Sequence, residues 1–211
     1  MTLCVYAITA SPCAPVVSGV RLRAIGAGRV WASAAPVRRA PAVTPASLRR
    51  YHRTVNAIAA ASTAVLPVRF GTAIEEAELR AVLRSRRAAL AAALRQVRGQ
   101  VQMTVRLIER GTMPGRTAGI AVPRSGKEYL QARADSASSR SIPGFAPVRE
   151  ALGRWTREER VERTSSVTSI YHLVPRRAAG TYRQTALAAL EGAGLRAVVS
   201  GPFPPYAFTS F

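Results

Sequence analysis

The chain has 211 residues, a hydrophobic share of 48 % and a formal net charge of +20. That is enough length for two small domains and enough apolar material for a real core, built mainly from Leu, Val, Ile and Ala because aromatics make up only 6 %. Cys4 and Cys13, the only cysteines, follow no CxxC or zinc spacing and make no disulfide framework.

Residues 3–9 (LCVYAIT) are short, apolar and stopped by Ser11-Pro12, which predicts a buried strand carrying Cys4 as a small hydrophobe. Residues 20–25 and 29–34 flank Gly26-Ala27-Gly28, the pattern of a hairpin whose turn uses glycine's access to positive φ. Residues 36–44, rich in proline and arginine, read as an exposed connection. Thr44-Pro45 then offers an N-cap followed by proline in the first turn, and a helix is expected over residues 45–64. Leu48, Tyr51, His52, Val55 and Ile58 mark its apolar face, with Arg49, Arg50 and Arg53 to the other side. Residues 66–70 are expected as a short strand ended by Gly71. Glu75, Glu76 and Glu78 open a second helix, where the helix dipole favours them, and Leu79, Val82, Leu83, Leu90, Leu94 and Val97 form its stripe up to Gly99.

Beyond Gly99, residues 101–107 alternate: Val101, Met103, Val105 and Leu107 point one way, Gln102, Thr104 and Arg106 the other, as in a half-buried strand. Residues 111–123 read as a loop, 125–134 as a helix, the serine-rich 135–141 as a break and 145–157 as helical. Residues 167–174 (VTSIYHLV) predict a strand, 178–192 a helix anchored by Tyr182, Leu187 and Leu190, and 195–199 a last strand running into Gly201-Pro202. Strands and helices mix without a regular βαβαβ repeat, which argues α+β. The cut falls near Gly99, giving domains at 1–98 and 99–211, and the order in the second resembles a split βαβ, ferredoxin-like arrangement.

Catalytic chemistry has little to stand on. His52 and His172 are the only histidines, one in an expected helix and one in an expected strand, where packing or hydrogen-bonding roles suffice. Glu75, Glu76 and Glu78 cluster at a helix start, while Glu158, Glu159 and Glu162 alternate with arginines and read as a solvated face. No HxH, HExxH or phosphate-loop pattern occurs, so no catalytic residue, metal or cofactor is expected. Residues 3–10 lack a preceding positive charge and do not read as a signal peptide; the uncharged stretch 54–68 is interrupted by Pro67 and short of the roughly 20 apolar residues of a membrane span. A protein inside the cell is expected. The positive charge reads two ways, as arginine-rich composition or as a binding need for an anionic partner. A basic nucleic-acid-binding module on a ferredoxin-like fold is the alternative function, against which the strand at 101–107 offers no aromatic on which a base would stack.

Several segments, in order, resemble the gas vesicle GvpF/GvpL family. They are the opening strand with Tyr6, His52 in the first long helix, residues 66–71 (LPVRFG), 99–106 (GQVQMTVR), 125–130 (SGKEYL), 170–174 (IYHLV) and the closing 201–208 (GPFPPYAF). The resemblance implies two α+β domains, each a modified ferredoxin-like arrangement of a small mixed or antiparallel sheet with packed helices, the second ending in GPFPPYAF. It implies a non-enzymatic accessory or minor structural protein, cytoplasmic and gas vesicle associated. Such a protein acts in nucleation and assembly of the shell through the main shell protein and other accessory proteins. Arg69, Phe70, Phe203, Tyr206 and Phe208 are its candidate partner-binding residues. Arg69 reads either as a structural cation or as a partner contact. The proline-rich end reads either as a clasp pinned by its aromatics or as a docking surface that loses little entropy on binding.

Overall fold

The computed structural model describes residues 1–108, 142–164 and 167–209. The loop, helix and break expected over residues 111–141, with the SGKEYL segment at 125–130, lie outside them. The chain divides into two compact units, Met1–Val101 with Phe203–Phe211, and Gln102–Pro202. The closing segment therefore counts with the first unit, although sequence order places it after the second.

Unit one opens with β1 (Thr2–Thr9), whose seven residues after Thr2 are buried. A crossover follows that carries Pro12 and Pro15, which deny it a helix. The expected hairpin is β2 (Arg23–Ala27) and β3 (Val30–Pro36), turning at Gly28 with φ of 68°. Gly26 pairs with Trp31, and a Cβ on Gly26 would lie 2.5 Å from that ring, so the strand needs glycine there. Then come α1 (Pro45–Ala60), β4 (Val65–Pro67), β5 (Ala73–Glu75), α2 (Glu76–Ser85) and α3 (Arg87–Gln96). The sheet runs β2-β3-β1-β4, with β5 also paired to β1. Cys4 and Tyr6 turn toward α1, so Leu3 and Val5, alternating with them, line the opposite face. A register shift in β1 between Val5 and Ala7 lets Ala7 join the α1 side as well.

The start of α1 is fixed by a reciprocal cap. Thr44 Oγ1 accepts from Ser47 N at 3.1 Å while Ser47 Oγ accepts from Thr44 N at 3.0 Å, with Pro45 in the first turn. Its buried face is Tyr51, Thr54, Val55 and Ile58; Leu48 is 42 % exposed and His52 lies outside the core, so the apolar face is narrower than its sequence period implies. The helix ends at Ala60, and Ala64, Val65 and Leu66 are buried in the sheet instead. The single helix expected from Glu75 to Gly99 is two helices breaking at Arg86. The cause is local: Leu79 and Leu83 are buried, the next turn supplies only Arg86 and Arg87, and burial resumes at Leu90, Leu94 and Val97.

Unit two holds β6 (Gln100–Ile108) from Gln102 onward, α4 (Ala146–Leu152), β7 (Glu158–Arg163), β8 (Val167–Pro175), a 3-10 turn at Arg176–Ala178, α5 (Ala179–Gly192) and β9 (Ala197–Phe203) as far as Pro202. Its sheet runs β7-β8-β6-β9. The charged stretch at 158–163, read from sequence as a solvated face, is an edge strand paired from Glu158↔Leu173 to Arg163↔Thr168. Charge on such an edge discourages pairing with another chain. β6 is buried more fully than its alternation implies: Gln102 and Thr104 are inside as well and bond to each other at 3.3 Å. On α5 the buried residues are Ala179, Tyr182, Ala186 and Leu190, while Leu187 is half exposed rather than an anchor. Both sheets set their first four strands in the spatial order second, third, first, fourth.

At the end of β9 the Arg183 guanidinium donates to the carbonyls of Val199, at 3.1 Å, and Gly201. Gly201 has φ of 115°, and a Cβ there would meet Gln102 O at 2.7 Å and Met103 Sδ at 3.0 Å. Replacing Gly201 with alanine is therefore expected to lower the stability of unit two by about 2 kcal/mol or more. The check is chemical denaturation followed through Trp155 in a Trp31→Phe background; an unchanged midpoint would contradict it.

Candidate functional site

Three aromatic rings organise one end of unit one. Tyr6 on β1 stacks on Tyr51 of α1 with centroids 5.5 Å apart, and Phe70 sets its edge on Tyr51 at 5.4 Å. The Tyr51 hydroxyl donates to the Val68 carbonyl, and Val68 N donates to Tyr6 O at 2.9 Å. The LPVRFG segment is thus held at Val68 from both sides. Pro67 ends β4, having no N–H with which to continue a ladder. The chain then turns: the Arg69 carbonyl accepts from Thr72 N at 3.2 Å and Thr72 Oγ1 at 2.8 Å, with Gly71 at φ of 82°. The turn directs Phe70 back onto Tyr51 and leaves Arg69 exposed.

The closing segment reaches the same place. After Phe203 the chain buries Pro204 and Pro205 and makes a 3-10 turn, Tyr206–Phe208, in contact with β4. His52 lies against two of the segment's three rings, 6.3 Å from Phe203 and stacked on Tyr206 at 6.3 Å with 24° between planes. Asn56 Nδ2, a donor, is 3.0 Å from His52 Nε2, and Tyr206 Oη is 3.4 Å from Nδ1. The neutral tautomer consistent with both carries its proton on Nδ1 and donates to Tyr206. Phe208 is 3 % exposed and anchors the segment, whereas Phe203, Tyr206 and Phe70 are half-buried and Arg69 is open to solvent. The five candidate residues therefore divide into one interior anchor, three rings with an open edge and one surface cation.

Between these segments lies an open groove of about 680 Å³, lined by Leu48, His52, Pro67, Arg69, Phe70 and Tyr206 among others. A second hollow of about 640 Å³ shares Leu48 and His52 and adds Arg49, Arg50 and Arg53. Burial pushes the Tyr206 hydroxyl up to about 12, and burial together with neighbouring Tyr206 raises that of Tyr51. Both stay neutral hydrogen-bonding groups. Among the described residues the groove thus offers carbon and ring edges with Arg69 as its cation and no carboxylate, a surface suited to docking. In sequence, Leu48 and Tyr51 belong to one apolar stripe. Only the position of the closing segment makes one a floor of the groove and the other its support.

The other histidine sits in a closed network of unit two. His172, 1 % exposed, engages Tyr182 Oη through Nδ1 at 2.5 Å and Glu159 through Nε2 at 2.8 Å, and Arg149 lies 3.4 Å from the same carboxylate oxygen. Both ring nitrogens are occupied, which fits a satisfied buried network. Among the described residues no group of three His, Cys, Asp or Glu is placed to hold a metal ion, and no helix is long and apolar enough to cross a membrane.

Removing the Tyr51 hydroxyl tests how the groove is held. Tyr51→Phe is expected to cost about 1–2 kcal/mol, because the Val68 carbonyl loses its side-chain donor. Denaturation of a Trp155→Phe background, in which Trp31 reports unit one, measures it; an unaltered midpoint would contradict the assignment.

Comparison with known proteins places the chain. The model of the family described as gas vesicle synthesis protein GvpL/GvpF matches residues 3–210. Among solved structures, the fold is similar to that of the gas vesicle protein GvpF from Anabaena sp. PCC7120, with a TM-score of 0.74, 14 % identity, and coverage of 100 % of this chain and 96 % of that one. It is similar also to GvpF from Microcystis aeruginosa, with a TM-score of 0.73, 15 % identity, and coverage of 100 % and 99 %. At these identities the likeness is one of fold. No curated protein matches the sequence. On a family match that spans nearly its whole length, the chain belongs to the gas vesicle synthesis protein GvpL/GvpF family.

Proposed function

We propose that this chain is an accessory or minor structural protein of gas vesicles, acting in the cytoplasm in nucleation and assembly of the shell. It does so through protein–protein contacts with the main shell protein and other accessory proteins, without catalysis or cofactor. The observation that carries the reading is the meeting of the LPVRFG and GPFPPYAF segments at one groove on α1. In this reading Arg69, Phe70, Phe203 and Tyr206 face the partner and Phe208 holds them in place. A half-buried aromatic set on a proline-stiffened turn is ordered before binding, so contact with a partner costs little further entropy.

The net charge of +20 favours a second reading, binding to nucleic acid. Pull-downs with the full chain against the main shell protein and against non-specific DNA separate the two. The shell protein is expected to be captured, with capture weakening as salt rises because the arginines contribute electrostatically. Capture insensitive to salt would contradict the electrostatic contribution. Tight DNA binding with a steep salt slope and no shell-protein association would overturn the functional reading.

A further inference from the structure

Unit one is short of negative charge in a way that bears on the groove. Between Met1 and Val101 it has fifteen arginines and three glutamates, Glu75, Glu76 and Glu78. Glu75 is held by the terminal amino group at 2.5 Å and by Thr2, and Glu76 by Arg80 at 2.9 Å and Arg23 at 3.2 Å. Neither is available to the groove, and among the described residues Arg49, Arg53 and Arg69 form no ion pair. All three are exposed. Arg49 and Arg53 stand one turn apart on α1, as do Leu48 and His52, and the two hollows share Leu48 and His52. The surface therefore repeats along the helix axis: Leu48 and His52 with a cationic row beside them in one hollow, and Arg69 in the lining of the other.

We infer that this groove receives an acidic amphipathic helix of a partner protein. Its apolar residues seat against Leu48, Phe70 and Tyr206. Carboxylates one turn apart meet Arg49 and Arg53, and a further carboxylate meets Arg69. The spacing favours a helix, since groups on one face of a helix recur with the same one-turn period as the arginines on α1. A nucleic acid fits this surface less well. The ring faces it would stack on are partly taken, Tyr206 by His52 and Tyr51 by Tyr6 and Phe70, and the floor includes the aliphatic Leu48 and Pro67. This inference rests on the proposed partner-binding role and names the chemistry of the partner at that site.

The test measures binding of the full chain to three labelled ligands by fluorescence anisotropy. They are a stapled amphipathic helix with Leu on one face and Glu one turn apart beside it, the same peptide with Lys in place of Glu, and a single-stranded oligonucleotide. The Glu peptide is expected to bind more tightly than the other two and to weaken with salt. The double variant Arg49→Glu with Arg53→Glu is expected to lose about tenfold in affinity, two exposed pairs each being lost and replaced by a repulsion. Leu48→Asp is expected to weaken binding as well. The control Arg176→Glu with Arg177→Glu, in unit two, carries the same charge change and is expected to bind as the wild type does. Equal weakening by the control, tighter binding of the oligonucleotide, or no preference for the Glu peptide over the Lys peptide overturns the proposal. Shell-protein capture, run in parallel, keeps the two readings apart. Capture without peptide binding sinks the groove alone, and peptide binding without capture of any gas vesicle protein sinks the functional reading.

Discussion

The Tyr51 hydroxyl, donating to the Val68 carbonyl, is the contact on which the rest of unit one's working surface depends. A buried hydroxyl in an apolar cluster must find an acceptor, and a half-buried carbonyl just past a proline-terminated strand gains from a donor. Each solves the other's problem. The consequence is geometric: with Val68 tied to α1 and to β1, the turn at Arg69–Thr72 has one place to go, Phe70 returns to the Tyr51 ring and Arg69 is left outside. The closing segment uses the next turn of the same helix, where His52 receives Tyr206. α1 is thus the shared platform of two segments far apart in sequence, and its own start is fixed by the Thr44–Ser47 cap rather than by chance of packing.

Much of this was legible before the structure. Gly26-Ala27-Gly28 marked the hairpin, Thr44-Pro45 the start of α1, and the Val/Met/Leu alternation β6, because turn chemistry, capping and period are local properties. What escaped is tertiary. β7 is nearly all charge, with Val161 its only apolar residue, and its strand state comes from pairing with β8, not from any preference within EERVER. The break at Arg86 was hidden because leucines flank it on both sides at helical spacing, while the turn between them has nothing to bury. Leu48 carries the same period as Val55 and Ile58, yet it is 42 % exposed while they are buried.

The closing segment shows the same limit most clearly. Its prolines and aromatics announced a stiff, pinned stretch, and its residues do bury Pro204, Pro205 and Phe208. Nothing local says which surface pins it. Gly201 packs closely on Gln102 and Met103 and accepts from Arg183 in unit two, while two residues later Phe203 lies against His52 of unit one. One short motif therefore serves two structural duties, which explains why its glycine and its aromatics belong together. The charge gains meaning only in this setting: arginine-rich composition alone predicts no site, and the proposed one rests on exposed arginines beside an open groove, with Glu75 and Glu76 already engaged elsewhere.

The central claim is that the α1 groove is where this protein meets its gas vesicle partners. Photo-crosslinking during vesicle formation tests it most directly, with a photoreactive residue at position 48, on the groove floor, or at position 187, equally exposed on α5. The account predicts crosslinks to gas vesicle proteins from position 48 and none above background from position 187. Crosslinks from position 187 with none from position 48 would contradict it.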